Sequence, residues 1–208
     1  LMADRAARVE IAARDGGTGA YTVMAQVAAE TLAIKPEQVS VTMGDTLLPP
    51  GPVSGGSVTT ASACSAVKLA CQQVMTRLGL AAGYTAAQRT AAFEKLALGA
   101  IEETGNFVPP TSRSKSTASL YKGSSDLSGG VNAANDGKTM FAFGAEFVEV
   151  RVHARTREIR VPRIVGAFAA GRIMNPRTAH SQLMGGMIWG IGSALHEHTE
   201  IDKREARY

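Results

Sequence analysis

The stretch Arg8-Val9-Glu10-Ile11-Ala12-Ala13-Arg14-Asp15-Gly16-Gly17-Thr18-Gly19-Ala20-Tyr21 decides how this chain folds. Its first half, Arg8 to Ala13, reads as a short strand, and Asp15 to Ala20 as a glycine-rich turn. After the turn, Tyr21, Met24, Val27, Ala28 and Leu32 recur at helical spacing, so a helix starts near Tyr21 and stops before Pro36. Gln38 to Met43 then alternates, with Val39, Val41 and Met43 on one face. The order is strand, loop, helix, strand.

Downstream, the prolines and glycines of Leu48-Pro49-Pro50-Gly51-Pro52-Val53-Ser54-Gly55-Gly56-Ser57 require a loop. From Val58 to about Leu80 the apolar residues return at helical spacing, so a second glycine-rich loop also feeds a helix N-terminus. Ala86 to Glu103, rich in Ala, Leu and Glu, reads as another helix. Residues 104–139 are dominated by Ser, Thr, Gly and Asn and read as a long loop or insertion. Ala145 to His153 and Glu158 to Phe168 alternate as a hairpin, and a turn at Asn175-Pro176 precedes a last helix from Thr178 to His196. The fold class is therefore α+β, with mixed sheets and helices. Three segments follow: an α/β segment at 1–83, a helix and loop insertion at 84–139, and a hairpin and helix segment at 140–208.

The composition is that of a globular protein: 208 residues, 45% apolar, 19% charged, with 22 Gly. That excludes a disordered tail, a collagen-like fibre and a disulfide-stapled miniprotein. Cys64 and Cys71 lie on one helix at a separation of about 10 Å, too far for a disulfide, and read as small buried apolar residues. The net charge is +4 and the isoelectric point about 9.3. The basic residues Arg151, Arg155, Arg157, Arg160 and Arg163 are interleaved with Glu146, Glu149 and Glu158, which suits a solvated sheet face better than a phosphate-binding stripe. Leu183 to Leu195 is too short for a bilayer span. The start, Leu1-Met2, runs directly into strand-like sequence, as an internal piece of a longer protein would.

Unpaired N–H groups at a helix N-terminus, and glycines that allow close approach, point to an anion such as a phosphorylated cofactor. Neither loop carries a dinucleotide or Walker fingerprint, and each would equally serve to close a strand onto a helix. His196 and Glu200 are one turn apart, but a solvated helix end accounts for them better than a metal. Ser54 and Ser57 lack a nucleophile elbow, and the two cysteines lack a charged neighbour that would favour a thiolate.

Taken together, Asp15 to Gln26, Leu48 to Thr60, and Gly166-Ala167-Phe168 through Asn175-Pro176 to Ser181-Gln182-Leu183-Met184-Gly185-Gly186-Met187 resemble one family. It is the molybdenum-cofactor-binding large subunit of the xanthine dehydrogenase and aldehyde oxidase family, and within it the bacterial three-subunit aldehyde dehydrogenases. The resemblance covers residues 8–80 and 140–208, in order. It implies a molybdopterin-binding domain in which Gly17, Thr18, Gly19 and Ala20 contact the pterin. Gly55, Gly56, Ser57, Val58 and Thr59 then hold the cofactor from the second loop, and Gln182 hydrogen-bonds it. The implied cofactor is molybdopterin cytosine dinucleotide, with FAD and 2Fe-2S clusters on partner subunits. The implied reaction is hydroxylation of an aldehyde or N-heteroaromatic carbon with water as oxygen source. The resemblance leaves the compartment open between cytoplasm and periplasm, the latter by co-export with a partner. A non-catalytic structural or interaction module is the alternative function.

The chain departs from the family at three places. Gly16 replaces an isoleucine and loses its packing contact, and Thr156-Arg157-Glu158 replaces Thr-Gly-Glu at the hairpin turn. A Gly-Val-Gly-Glu-like motif carrying the general base is absent, so the catalytic residue set here is empty and these 208 residues alone are expected to be inactive.

Overall fold

The computed structural model describes residues 1–4, 6–107 and 142–205. Most of the 104–139 segment therefore lies outside the described residues. The fold is mixed α+β, as the sequence predicts. It divides into two compact units, Leu1–Met140 and Phe141–Tyr208.

In the first unit, β1 (Ala7–Ile11) leads through the glycine turn into α1 (Ala20–Thr31), and a 3-10 turn at Pro36–Gln38 delivers β2 (Val39–Met43). The two strands pair in parallel, Ala7 opposite Val39 through Ile11 opposite Met43, so β1-α1-β2 is a crossover unit. Next come α2 (Thr59–Arg77) and α3 (Ala86–Leu96). α1 packs on α2, and the core between them is built from small and β-branched residues: Val23, Met24 and Val27 on one side, Cys64, Val67, Cys71 and Val74 on the other. The α2 residues recur every three or four positions, which keeps them on one face. Both cysteines are free and buried, and burial pushes each thiol up to about 11.

Two details differ from the sequence reading. Tyr21 is exposed, because the buried stripe of α1 enters through Ala20 and Val23 and Tyr21 lies about 100° around the helix from Ala20. α3 ends at Leu96 rather than Glu103, since Ala97 takes a left-handed conformation and closes the helix through its bond to Glu94. The chain beyond α3 returns to the first residues, with Ala100 bridging Met2 and Ile101 buried.

One buried cation was not foreseen. Arg89 on α3 is only 2% exposed, and its neighbour Phe93 one turn on is equally enclosed. The Tyr84 hydroxyl donates to the Leu32 carbonyl at the end of α1. Burial raises the Tyr84 hydroxyl above its ordinary range, against the opposing effect of the Arg89 hydrogen bond and charge. The cue in sequence was the four-residue spacing of Arg89 and Phe93, which places both on one helix face.

In the second unit, β3 (Gly144–Val152) and β4 (Ile159–Phe168) form an antiparallel hairpin, and the long helix α4 (Pro176–Leu195) follows. Asn175 caps α4 by accepting from the Arg177 and Thr178 N–H groups, the turn-forming role expected of it, with Pro176 in the first helical position. The ring of Phe168 covers Gly144 and Gly166, and a Cβ at Gly166 would lie 2.9 Å from the Met187 sulfur of α4. The charges of the hairpin are solvated: Glu149 pairs with Arg151 at 2.7 Å and Glu158 with Arg160 at 2.8 Å, all on exposed side chains. Among the described residues no helix is long and apolar enough to cross a membrane.

Candidate cofactor-binding site

Parallel strands deliver both glycine-rich loops to one place. β1 and β2 run the same way, so the loops that leave their carboxyl ends start side by side, where open α/β sheets bind ligands. Three contacts tie the loops together. The Ala12 N–H donates to the Pro49 carbonyl at 2.7 Å, and the Ser54 hydroxyl donates to the Arg14 carbonyl at 2.6 Å. At Gly51 a Cβ would lie only 2.7 Å from the Ala13 nitrogen, so only glycine lets the second loop lie this close to the first. Thus the bases of the two loops, Ala12 to Arg14 and Pro49 to Ser54, lie against each other in the first unit, which also holds Gly17, Thr18, Gly19, Ala20, Gly55, Gly56, Ser57, Val58 and Thr59.

Neither helix N-terminus has a side-chain cap or an acidic residue in its first turn, and the two loops that lead into them differ. In the first loop, Asp15 Oδ1 accepts from the N–H groups of Gly17 and Thr18, both at 2.8 Å. Burial would push this carboxyl up, but the N–H groups of Gly17, Thr18, Gly19 and Tyr21 together outweigh it and hold Asp15 below the ordinary carboxylate range. Asp15 thus fixes the loop amides of Gly17 and Thr18 ahead of α1, whose own start has no side-chain cap and no acidic residue in its first turn. An Asp two and three residues ahead of a Gly-Thr pair is a turn signal that predicts this bonding.

The second loop has no such anion. α2 begins at Thr59 after Val58, whose side chain accepts nothing, and its first turn holds no acidic residue. Gly56 and Ser57 are both left-handed, with φ of 57°. No atom would stand within 4 Å of a Cβ at Gly56, and a Cβ at Gly55 would meet only Val53. This is exposed backbone leading into the start of α2, with the hydroxyls of Ser57, Thr59 and Thr60 beside it. These residues fit a phosphorylated cofactor.

Gln182 lies on α4 in the second unit, exposed, in the second turn of the helix. At Gly16 a Cβ would meet nothing within 4 Å, so no described residue awaits the isoleucine that the resemblance implies there. Arg157 has φ of 63°, the left-handed position that explains the glycine usual at this turn. Among the described residues no three His, Cys, Asp or Glu side chains come together to hold a metal ion.

Two glycine loops that leave parallel strand ends for helix starts without a side-chain cap suit the binding of a phosphorylated cofactor through backbone amides. Residues 1–207 match the molybdopterin cofactor-binding domain family, and the chain belongs to it. It is 37% identical over 196 residues to the aldehyde oxidoreductase molybdenum-binding subunit PaoC of Escherichia coli K12, covering 94% of this chain and 26% of that one. It is 29% identical over 188 residues to the 6-hydroxypseudooxynicotine dehydrogenase complex subunit gamma of Paenarthrobacter nicotinovorans, covering 87% and 23%. Among solved structures, quinoline 2-oxidoreductase from Pseudomonas putida 86 shares the fold with a TM-score of 0.70 at 20% identity, covering 96% of this chain and 26% of that one. The chain spans about a quarter of the length of these relatives.

Proposed function

We propose that this chain is the cofactor-holding part of a molybdenum hydroxylase subunit that oxidises aldehydes or N-heteroaromatic compounds with water as oxygen source. The cofactor is molybdopterin cytosine dinucleotide, and FAD and 2Fe-2S clusters on partner subunits carry the electrons away, in the cytoplasm or, by co-export, the periplasm. The carrying observation is that the two glycine loops leave adjacent parallel strands and each leads into a helix start with no side-chain cap and no acidic residue in its first turn. In this reading the N–H groups at the start of α2 and the hydroxyls of Ser57 and Thr59 hold the pyrophosphate. Thr18, held by Asp15, and Gly19 shape the wall that meets the pterin. The bound molybdenum centre supplies the redox chemistry. The names of the relatives, molybdenum-binding subunits and dehydrogenase complexes, support it.

The test is metal and nucleotide analysis of the protein purified from a host that makes the cofactor. Molybdenum and CMP released on hydrolysis are expected in equal amounts, and Gly56→Asp, which adds a strained side chain and an anion to the open loop, is expected to remove both. Folded protein without molybdenum or CMP would overturn the reading and leave the non-catalytic interaction module.

A further inference from the structure

The second glycine loop rests on the first along one parallel run. Going up the chain on both sides, the Pro49 carbonyl accepts from the Ala12 N–H at 2.7 Å, Gly51 lies against Ala13, and the Ser54 hydroxyl donates to the Arg14 carbonyl at 2.6 Å. A Cβ at Gly51 would stand 2.7 Å from the Ala13 nitrogen and 2.9 Å from its Cα, so backbone lies on backbone. Yet this strap is no β-strand. Pro49, Pro50 and Pro52 have no N–H, so half of the positions from 49 to 54 cannot donate to a ladder. At Ser54 a side-chain hydroxyl makes the tie that a backbone ladder does not.

The same three pyrrolidine rings fix φ, which stiffens the strap up to Val53. Beyond Ser54 the chain is adaptable. Gly56 and Ser57 are left-handed, a Cβ at Gly56 would meet nothing within 4 Å, and one at Gly55 would meet only Val53 of the same loop. The Ser54 tie therefore sits where stiff chain gives way to the glycine turn that leads into α2. Its acceptor is equally placed, because Arg14 directly precedes Asp15, whose carboxylate holds the Gly17 and Thr18 N–H groups. One hydrogen bond joins the chain ahead of one glycine turn to the chain ahead of the other.

We infer that Ser54 is a positioning residue: through the Arg14 carbonyl its hydroxyl sets the Gly55-Gly56-Ser57 turn on the base of the Asp15-Gly16-Gly17-Thr18 turn, so that the two loops hold a phosphorylated cofactor as one element. This rests on the cofactor reading proposed above. The tie is exposed to water, and such a bond is worth about fivefold in an equilibrium, or about 1 kcal/mol at about 1.4 kcal/mol per tenfold.

The test compares Ser54→Ala, which removes the donor, with Ser54→Thr, which keeps it, in the polypeptide produced from the native reading frame in a host that makes the cofactor. Two quantities are read: hydrogen exchange of the Ala12 N–H, whose bond to Pro49 lies at the foot of the strap, and the rate at which bound molybdenum and CMP are lost on dialysis. Ser54→Ala is expected to speed both about fivefold and Ser54→Thr to restore both. Exchange in the Val67 to Val74 core of α2, which a general loss of stability would speed, is expected to stay unchanged in both variants. Gly51→Ala, which forces the strap off Ala13, is expected to act in the same direction, and adding Ser54→Ala to it to bring little more, since both open one contact. Unchanged Ala12 exchange in Ser54→Ala, faster exchange with unchanged cofactor loss, failure of threonine to rescue, or faster exchange in the α2 core as well would each overturn the inference. Wild-type protein without molybdenum or CMP would instead remove the functional reading and with it the cofactor half of this inference, while the Ala12 exchange would still decide whether Ser54 joins the loops.

Discussion

The two units solve the burial problem in different ways. The first encloses its own apolar side chains: Val23, Met24, Ala63 and Phe93 are at most 2% exposed. The second has comparable apolar content, yet no residue of β3, β4 or α4 is fully buried. Side chains of the same chemistry thus contribute folding free energy in one unit and remain unpartnered in the other. Apolar content alone says nothing of stability until something covers it.

The strongest way to break this comparison is to truncate a phenylalanine in each unit. Phe93→Ala, at the sealed underside of α3, is expected to cost about 3–5 kcal/mol. Phe147→Ala, in the 208-residue chain alone, is expected to change stability by about 0.5 kcal/mol or less. Denaturant unfolding, followed separately through amide exchange in α2 and in β3, would read both. Equal losses at the two sites would mean that the hairpin is covered within this chain.

A pH titration sharpens the same contrast. Cys64 and Cys71 lie in the first core with their thiols pushed up to about 11, and the second unit has no cysteine. The folded state holds these protons more tightly than the unfolded chain does. The stability they contribute is therefore complete below the ordinary thiol value of 9.0 and is lost as pH rises from there through about 11. The full loss is about 2–3 kcal/mol for each thiol as an order of magnitude. Unfolding of α2 is expected to show this alkaline loss, Cys71→Ala to remove about half of it, and β3 and β4 to show none. An identical pH profile in both units would contradict the assignment.

Sequence carried the fold to within a few residues because its signals here are local. Glycine turns, proline stops, three-to-four-residue apolar spacing and strand alternation mark most elements, and the two glycine loops stand out as each leading into a helix. Illegible were features that depend on what lies across a contact. The spacing of Asp15 ahead of Gly17 and Thr18 signals the turn, but not the close approach of Gly51 in the second loop to Ala13 in the first. The spacing of Arg89 and Phe93 puts both on one face of α3, but local sequence does not tell that this face is buried. Local pattern also failed at the end of α3, where Ala97 rather than a glycine takes the left-handed stop.

The smallest predicted effect tests whether the second unit stands on local geometry where long-range cover is lacking. Arg157 holds a left-handed backbone at the tip of the hairpin, with its N–H bonded to the His153 carbonyl at 2.9 Å. A non-glycine residue there costs roughly 1–2 kcal/mol, while glycine adds about 0.5–1 kcal/mol of entropy to the unfolded chain. Arg157→Gly is therefore expected to stabilise the hairpin by about 0.5–1 kcal/mol, read as slower amide exchange in β3 and β4 and unchanged exchange in α1 and α2. A gain confined to the hairpin supports two units that unfold independently. A matching gain in α1 and α2 would show that they unfold together, and the contrast between the units would then describe their surfaces but not their folding.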